Sequence, residues 1–273
     1  MRTVYKIIVY LLLAAGAIVM LFPFFWMLTG SLKTYNEITA SPIVWWPKVV
    51  QWSNYAQALD YAPFDRYFVN TVLVATINTA SVLLTSIFAA FAFSRLKFKG
   101  RDLIFSILLA TLMIPSQILI ITNYVTIAVR MRLMDTMLAL IIPYTASIFY
   151  IYLLREFFNQ IPEQLYLAAK VDGTSDWRYL WRIMVPNAKN ALITIGLFSF
   201  IASWNAYIWP LLVTNTQSKR VLSIGLRYFS GEAGTDYHLL MAAGTIVILP
   251  LLFIYLFLRR YIMGGVSRAG ING

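Results

Sequence analysis

Cysteine is absent from the chain, and histidine occurs once, at His238. The first absence excludes disulfides, thiolate catalysis and cysteine-based metal sites, and it leaves the redox compartment undetermined. His238 has no second histidine or cysteine beside it, so a packed or interfacial residue is expected there rather than a metal ligand. Charge is scarce as well. Charged residues make up 12% of the 273, against about 25% in an ordinary soluble domain. No Gly-x-x-x-x-Gly-Lys-Ser/Thr run occurs, so the chain lacks a phosphate-binding loop and cannot hydrolyse ATP by that route. No Ser/His/Asp set has a credible spacing. No catalytic residue is assigned, and an enzyme is not expected.

What fills the chain is apolar: 60% of residues, with aromatics at 16%. That much apolar surface cannot be hidden in a globule of this size, and lipid is its natural solvent. A transmembrane helix needs about 20 mainly apolar residues. Six stretches qualify: Ile7–Leu28, Phe68–Phe93, Leu103–Ile127, Met137–Phe157, Ala188–Val213 and Leu239–Leu258. The expectation is an all-α polytopic protein of six transmembrane helices forming one domain, 1–273. The first stretch follows Arg2 and Lys6, as a signal peptide would. Its apolar run is too long for that and no small-residue cleavage site follows Pro23-Phe-Phe-Trp26, so an uncleaved span is expected. Almost every charge lies outside the six stretches. Glu156 is the nearest exception and is placed at the interface. With no buried carboxylate to mark a proton route, a proton-coupled carrier or pump is disfavoured.

The formal net charge is +11, and the basic residues follow topology. With a cytoplasmic N-terminus, the inner side holds Arg2, Lys6, Arg95, Lys97, Lys99, Arg101, Arg155, Lys170, Arg178, Arg182, Lys189, Arg259, Arg260 and Arg268. The outer side holds Lys33, Lys48, Arg66, Arg130, Arg132, Lys219, Arg220 and Arg227. That is 14 against 8, which together account for the 22 lysines and arginines. The positive-inside rule therefore places both termini in the cytoplasm. Anchoring at the membrane surface explains these residues, and no nucleic-acid role is assigned to them.

The segment 156–189 is the most informative. Pro162 suits the first turn of a helix, where its missing N–H costs nothing. Glu163 favours the positive end of that helix. Asp172-Gly173 is a turn dipeptide. Thr174 or Ser175 can cap a second helix, with Asp176 in its first turn, and Pro186 is expected to end it. Trp177, Leu180, Trp181 and Met184 fall at i, i+3, i+4 and i+7, one apolar stripe, with Arg178 and Arg182 on another face. Such a stripe must be buried, in the lipid interface or in a groove on a cytoplasmic partner.

The run Ala168-Ala169-Lys-Val-Asp172-Gly173, followed by Ile183-Met-Val-Pro186, resembles the EAA loop of ATP-binding-cassette (ABC) importer permeases. Leu167 stands where that family has its Glu. Further stretches carry the resemblance along nearly the whole chain. They are Leu21-Phe-Pro-Phe-Phe-Trp-Met-Leu28, Ser31-Leu-Lys33, Asn54-Tyr55, Asn70-Thr71, Ala90-Phe-Ala-Phe-Ser-Arg95, Phe98-Lys-Gly100 and Met113-Ile-Pro-Ser-Gln117. Ser203-Trp-Asn-Ala-Tyr-Ile-Trp-Pro-Leu211 and the tail Gly264–Gly273 complete them. Asn272 stands where the family tail often has Lys. The chain is similar to the carbohydrate-uptake class, of which the six-span maltose-importer permease is one. The resemblance implies the type I (MetI-like) importer permease fold and a bacterial or archaeal cell membrane. It implies a coupling loop at about 158–187, in which Leu167, Ala168, Ala169, Asp172, Gly173, Trp177, Trp181 and Pro186 dock on an ATPase. It also implies partners: a second, related permease, two ATP-binding-cassette subunits that carry ATP and Mg, and an external solute-binding protein. No cofactor bound by this chain itself is implied. The outer segment 214–238 resembles the part that reaches into the solute-binding protein; a solvated connector is the alternative.

Sugars are held by aromatic faces and hydrogen-bonding side chains. Candidates for a substrate pathway are Asn70 and Asn78 in span two, Gln117 and Asn123 in span three, and Trp204, Asn205, Tyr207 and Trp209 in span five. Interfacial aromatic belts and helix–helix hydrogen bonds are the competing roles. A sugar or oligosaccharide is the expected cargo, with glycerol 3-phosphate or another polyol derivative as the alternative. A phosphate would favour a basic residue in the cavity, and the spans contain none. A membrane-embedded enzyme would need His, Asp or Glu facing inward, which the spans lack. A scaffold would leave the two-helix loop unexplained.

Overall fold

The computed structural model describes residues 2–231 and 234–269, with side chains over 4–231 and 234–259. The end of the Gly264–Gly273 tail and the side chains of Arg2, Arg260 and Arg268, counted above for topology, lie outside these. Helices dominate. Three are long and apolar enough to cross a membrane unbroken, within α1 (Arg2–Gly30), α4 (Phe64–Arg95) and α15 (Tyr237–Ala269). Three more candidates are bent pairs: 101–113 with 116–130 at 95°, 137–144 with 148–159 at 45°, and 176–187 with 189–204 at 78°. Counting each pair as one span gives six.

Each break has a local cause. In the first pair, α5 (Arg101–Thr111) gives way before Pro115, whose ψ of 126° is non-helical, and α6 (Ser116–Tyr124) starts afresh. Proline disfavours helical geometry in the residue before it. In the second, α7 (Met137–Ile141) tightens into a 3₁₀ turn carrying Pro143, and Ser147 is extended before α8 (Ile148–Asn159). In the third, Ala188 has ψ 13° between α11 (Val185–Asn187) and α12 (Lys189–Trp204). Span five then breaks again before a short α13 (Ile208–Val213).

The chain divides into two compact units, Met1–Asp65 with Ile224–Leu251, and Arg66–Ser223 with Leu252–Gly273. In the first, a capping box starts α2 (Tyr35–Ile38): the Glu37 N–H donates to Thr34 Oγ1, and the Thr34 N–H donates to Glu37 Oε2. Asn54, on α3 (Ser53–Asp60), donates from Nδ2 to the carbonyls of Ser31 and Lys33 at 2.9 and 2.8 Å. Tyr55 OH meets Ser31 Oγ at 2.8 Å. Small residues let α1 and α15 approach. A Cβ added to Gly30 would lie 3.3 Å from Met241 Cγ, and one on Gly244 would lie 3.4 Å from Met27 Sδ. Between lipid-facing helices such close approach replaces the hydrophobic effect as the source of packing. Lys33, counted above as an outer anchor, is fully buried, its ammonium 4.2 Å from the centre of the Trp26 ring. The aromatic face accepts the cation that water would otherwise solvate. This unit also carries the antiparallel pair β1 (Ser230–Gly231) and β2 (Gly234–Thr235).

The second unit has its core where α4, α8, α9 (Glu163–Val171), α10 (Asp176–Tyr179) and α12 meet. Ile87, Ala90, Phe91, Leu154, Phe158, Ala169, Tyr179, Leu180, Met184, Ala188, Ala191 and Ile195 form it. Two arginines cross-lock its helix ends. Arg95, at the last residue of α4, donates from Nη2 to the carbonyls of Phe158 and Ile161 at the end of α8, both at 2.6 Å. Arg155, on α8, donates from Nε to the Phe93 carbonyl of α4 at 3.2 Å and lies on the Phe105 ring. Helix ends leave carbonyls unpaired, and a cation there completes them and opposes the dipole. Arg95 is therefore buried rather than a solvated anchor.

Candidate functional site

Two regions of the second unit combine geometry and chemistry: the loop between α8 and α12, and a cavity among α4, α7, α12 and α13.

The loop is two helices around a tight turn. Its first helix, α9, starts after Pro162 (ψ 133°) with Glu163 in the first turn. Gly173 has φ +70°, the left-handed geometry that glycine adopts without a Cβ penalty. Its N–H donates to the Lys170 carbonyl, and the Thr174 N–H to that of Ala169. Ser175, rather than Thr174, caps the second helix, its Oγ accepting from the Arg178 N–H at 3.3 Å. Asp176 ties the two helices together. Its Oδ1 accepts from Tyr166 OH and pairs with Lys170 Nζ, each at 2.7 Å. The Lys170 ammonium holds the Asp176 carboxyl below its ordinary pKa, and Asp176 raises that of Lys170. Burial, helped by Asp176, raises the Tyr166 phenol.

Two expectations for the second helix are corrected. Pro186 does not end it. The helix passes through a wide π turn at Leu180–Met184 and on through α11, bending only at Ala188. Proline clashes with a carbonyl four residues back in a regular helix, and a wide turn directly before it is where such strain is absorbed. The predicted stripe is largely buried, but against the chain's own helices rather than in lipid or a groove on a partner. Leu180 and Met184 join Tyr179 in the chain's own core, and Trp181 packs against that core. Trp177 stacks on Phe88 at an interplanar angle of 18° yet stays 63% exposed. The apolar surface offered outward is instead Leu167, Val171 (88% exposed) and Trp177, beside exposed Ala168, Asp172 and Gly173. Ala169 is buried, and Pro186 is exposed. Val171, one helical turn from Leu167 on α9, was missed by the sequence reading; an isolated valine beside Asp-Gly carries no periodic signal.

The cavity encloses about 400 Å³, within the usual range for small-molecule sites. Its walls include Thr71, Val74, Asn78 and Val82 of α4, Leu140 of α7, Tyr144, Ala146, Ser147 and Tyr150, Ser199, Ala202 and Ser203 of α12, and Trp209 and Pro210 of α13. The non-helical stretches at 145–147 and 205–207 adjoin it. Irregular backbone at membrane depth is tolerated where it lines a cavity. Asn78 is buried and donates from Nδ2 to Ser203 Oγ at 3.1 Å and to the Leu140 carbonyl at 3.4 Å. Its Oδ1 has no hydrogen-bond partner. Trp209 donates from Nε1 to the Ala139 carbonyl at 2.9 Å, with Tyr144 edge-on to its ring. The lining thus offers hydroxyls and aromatic surface, with the unpaired Asn78 amide oxygen buried behind it, and none of its residues is charged.

Of the eight residues read as a substrate pathway, the structure brings Asn78 and Trp209 to this cavity and leaves the other six elsewhere. Asn70 holds backbone, donating to the carbonyls of Ser218 and Arg220. Trp204 is packed against Phe68 and Phe200. Gln117, Asn205 and Tyr207 are exposed, and Asn123 is half-buried on α6. Ser199, Ser203, Tyr144 and Ser147 were missed. The signal was there, since Ser199 and Ser203 are one helical turn apart and Gly196 lies one turn before Ser199.

Comparison with known proteins agrees along the chain. Residues 81–268 match the family described as binding-protein-dependent transport system inner membrane component. A sulfoquinovosyl glycerol transport system permease protein, SmoH, of Agrobacterium fabrum (strain C58) is 31% identical over 93% of this chain and 89% of its own. The diacetylchitobiose uptake system permease protein NgcG of Streptomyces coelicolor is 31% identical over 94% and 86%. Among solved structures, a chain from a bacterial ABC transporter involved in import of the acidic polysaccharide alginate superposes with a TM-score of 0.81 at 24% identity. The match covers 95% of this chain and 96% of that one.

Proposed function

The chain belongs to the family of binding-protein-dependent transport system inner membrane components, and from that membership we propose that it carries a sugar or oligosaccharide across the cell membrane as a permease subunit of an ABC importer. The observation that carries this reading is the uncharged cavity lined by hydroxyls and the Trp209 and Tyr144 rings, with the unpaired Asn78 Oδ1 buried behind them. A neutral polyhydroxylated solute satisfies such groups through its own hydroxyls. A phosphate would enter a lining with no cation to meet it, at the desolvation cost of an unpaired charge. The cargo NgcG is named for, diacetylchitobiose, supports a sugar, and the one SmoH is named for, sulfoquinovosyl glycerol, is a sugar glycoside that also carries an anionic sulfonate.

The energy comes from partner chains. In this reading two ATP-binding-cassette subunits hold ATP and Mg, and one of them meets the outward apolar surface of Leu167, Val171 and Trp177. A related permease completes the membrane part, and a solute-binding protein delivers the sugar from outside. Both termini are cytoplasmic. Closure of the ATPases moves the loop. The loop shares one core with α4, α8 and α12, so the displacement reaches the helices that line the cavity. Pushing on a packed core moves it as a body rather than compressing it.

The test is uptake of a labelled sugar panel by cells that lack the gene and carry either the wild-type chain or Asn78→Leu at equal membrane levels. Wild type restores uptake of at least one sugar and Asn78→Leu does not. Equal uptake by both would remove the cavity from the pathway. Restored uptake of glycerol 3-phosphate, and of no sugar, would replace the cargo.

A further inference from the structure

The first unit holds a cleft of about 350 Å³ that the transport pathway described above does not use. It is lined by Tyr35 at the start of α2, Tyr61 just after α3, Tyr228 and Phe229, and Thr235 and Asp236 at the end of the β1–β2 pair. All lie outside the membrane-spanning segments. The cleft is built rather than incidental. The Asp236 N–H donates to the Phe229 carbonyl at 2.9 Å, closing the ribbon. The Phe229 ring, itself buried, lies against Tyr61 at 4.9 Å and Phe64 at 6.0 Å between centroids. Tyr61 OH donates to Asp236 Oδ2 at 3.0 Å, which fixes both side chains. That bond raises the Tyr61 phenol above its ordinary pKa, so the hydroxyl stays protonated. Tyr35 is held edge-on by the His238 ring.

The composition of the cleft limits what it can bind. Tyr35 and Tyr61 remain about half exposed, at 45% and 46%. Aromatic faces left open to water pack on the C–H side of a flat, partly apolar ring. Asp236 spends one oxygen on Tyr61, and no second side-chain bond is made by its Oδ1 among the described residues. A carboxylate with a spare oxygen accepts from hydroxyl donors and repels anions. Glycines 231 and 234 also line it and add no side chain of their own. We infer that this external cleft is a binding site for a single neutral pyranose ring, stacked on Tyr61 and Tyr35 and hydrogen-bonded through its hydroxyls to Asp236. The site is separate from the membrane cavity. It meets the sugar on the outer side, before the sugar passes through the membrane, and in this it rests on the sugar-importer reading.

The experiment is saturation-transfer NMR on the full chain in nanodiscs prepared without sugar-based detergent. The probes are methyl glucopyranoside, methyl galactopyranoside, methyl mannopyranoside and any sugar that the uptake panel identifies, with glycerol as the ring-free control. Wild type transfers magnetisation to ring protons of at least one sugar and none to glycerol. Tyr61→Ala and Asp236→Asn each raise the half-saturation concentration about tenfold. Tyr61→Phe, which keeps the ring and loses one hydrogen bond, stays within about threefold. The inference is overturned if Tyr61→Ala and Asp236→Asn both bind as wild type does, or if wild type shows no transfer to a sugar that the same importer takes up. Should Tyr61→Ala not fold, Tyr61→Phe and Asp236→Asn decide the matter. Cleft-dependent binding in a chain that supports no sugar uptake would leave the cleft standing and remove the importer reading instead.

Discussion

The loop 156–189, cytoplasmic in the proposed topology and so the inner loop, and the segment 214–238, external in that topology and so the outer segment, are secured by different means. The inner loop is packed. Tyr179, Leu180 and Met184 sit in a core shared with three long helices. The outer segment is packed farther on, where Val221, Leu222, Ile224 and Phe229 are buried, but its first part, 215–220, is pinned by polar and backbone hydrogen bonds. Asp135, at φ +60°, accepts the N–H groups of Asn215 and Thr216 at 2.8 and 3.0 Å. Asn70 donates to the carbonyls of Ser218 and Arg220, and Thr71 Oγ1 accepts the Leu222 N–H at 2.9 Å. Packed contacts resist displacement in every direction and so transmit force. Single polar pins fix the path of the backbone while leaving its side chains open to solvent and partners. The inner loop is therefore read as a lever and the outer one as a positioned surface.

This contrast can be broken most sharply at Met184, which is fully buried. Met184→Ala is expected to cost about 2–5 kcal/mol through the cavity it leaves. Thermal unfolding in detergent should fall by several degrees, and co-purification of ATPase subunits should fall with it. An unchanged unfolding temperature would show that the loop is not packed as a lever. Gly173→Val comes next. Open space surrounds the glycine, so the cost is backbone strain alone, about 1–3 kcal/mol. The chain should insert normally, while ATPase pull-down and sugar uptake drop. Normal values for both would remove this turn from the coupling path.

On the outer side, Asn70→Ala frees two partly exposed carbonyls and is expected to cost about 1 kcal/mol. Hydrogen exchange should quicken over 216–222 with the rest of the chain unaffected. Global destabilisation would mean that the first part of the outer segment is packed after all. The smallest effect belongs to Asp176. Its carboxyl pKa is depressed by Lys170, so its contribution is complete above the unfolded value and is lost as pH falls through the still lower folded value. The raised Lys170 pKa gives a contribution that is complete below the unfolded lysine value and lost as pH rises through the folded one. Stability should therefore be flat between about pH 5 and 9, with Asp176→Asn abolishing the acid-side dependence and weakening the base-side one, since Asp176 is the main cause of the raised Lys170 pKa. A slope within that window would assign the loop a titrating group other than this pair.

Much of this was legible in the sequence for physical reasons. Apolar runs mark helices because lipid demands them, and Gly173 and Ser175 announce a turn and a cap through chemistry that acts within a few residues. The breaks in spans three to five were not legible, since hydropathy averages over a window and carries no direction. Pro115 and Pro143 were visible, but their angles depend on the surrounding packing. The stripe of Trp177, Leu180, Trp181 and Met184 was legible as a buried face, but periodicity does not say what buries it, and here it is the chain's own core. The cavity was half read. Asn78 and Trp209 stood out by type, whereas Ser199, Ser203 and Tyr144 matter only because two chain breaks turn them to one space. Lys33 and Arg95 were counted as solvated anchors because a sequence shows a charge without showing its neighbours.

The crossed arginines bear on how the chain is made. Arg95 leaves the ribosome long before its acceptors at Phe158 and Ile161, and Arg155 follows with its own acceptor, Phe93, already in place. During synthesis α4 must wait in the bilayer with a charged, unlocked end, held at the cytoplasmic face by the cost of drawing a guanidinium into lipid. The arrival of α8 then fastens both ends at once. Assembly of this half of the permease is thus ordered by the chain itself, and a nascent chain stalled before residue 158 would remain open to degradation.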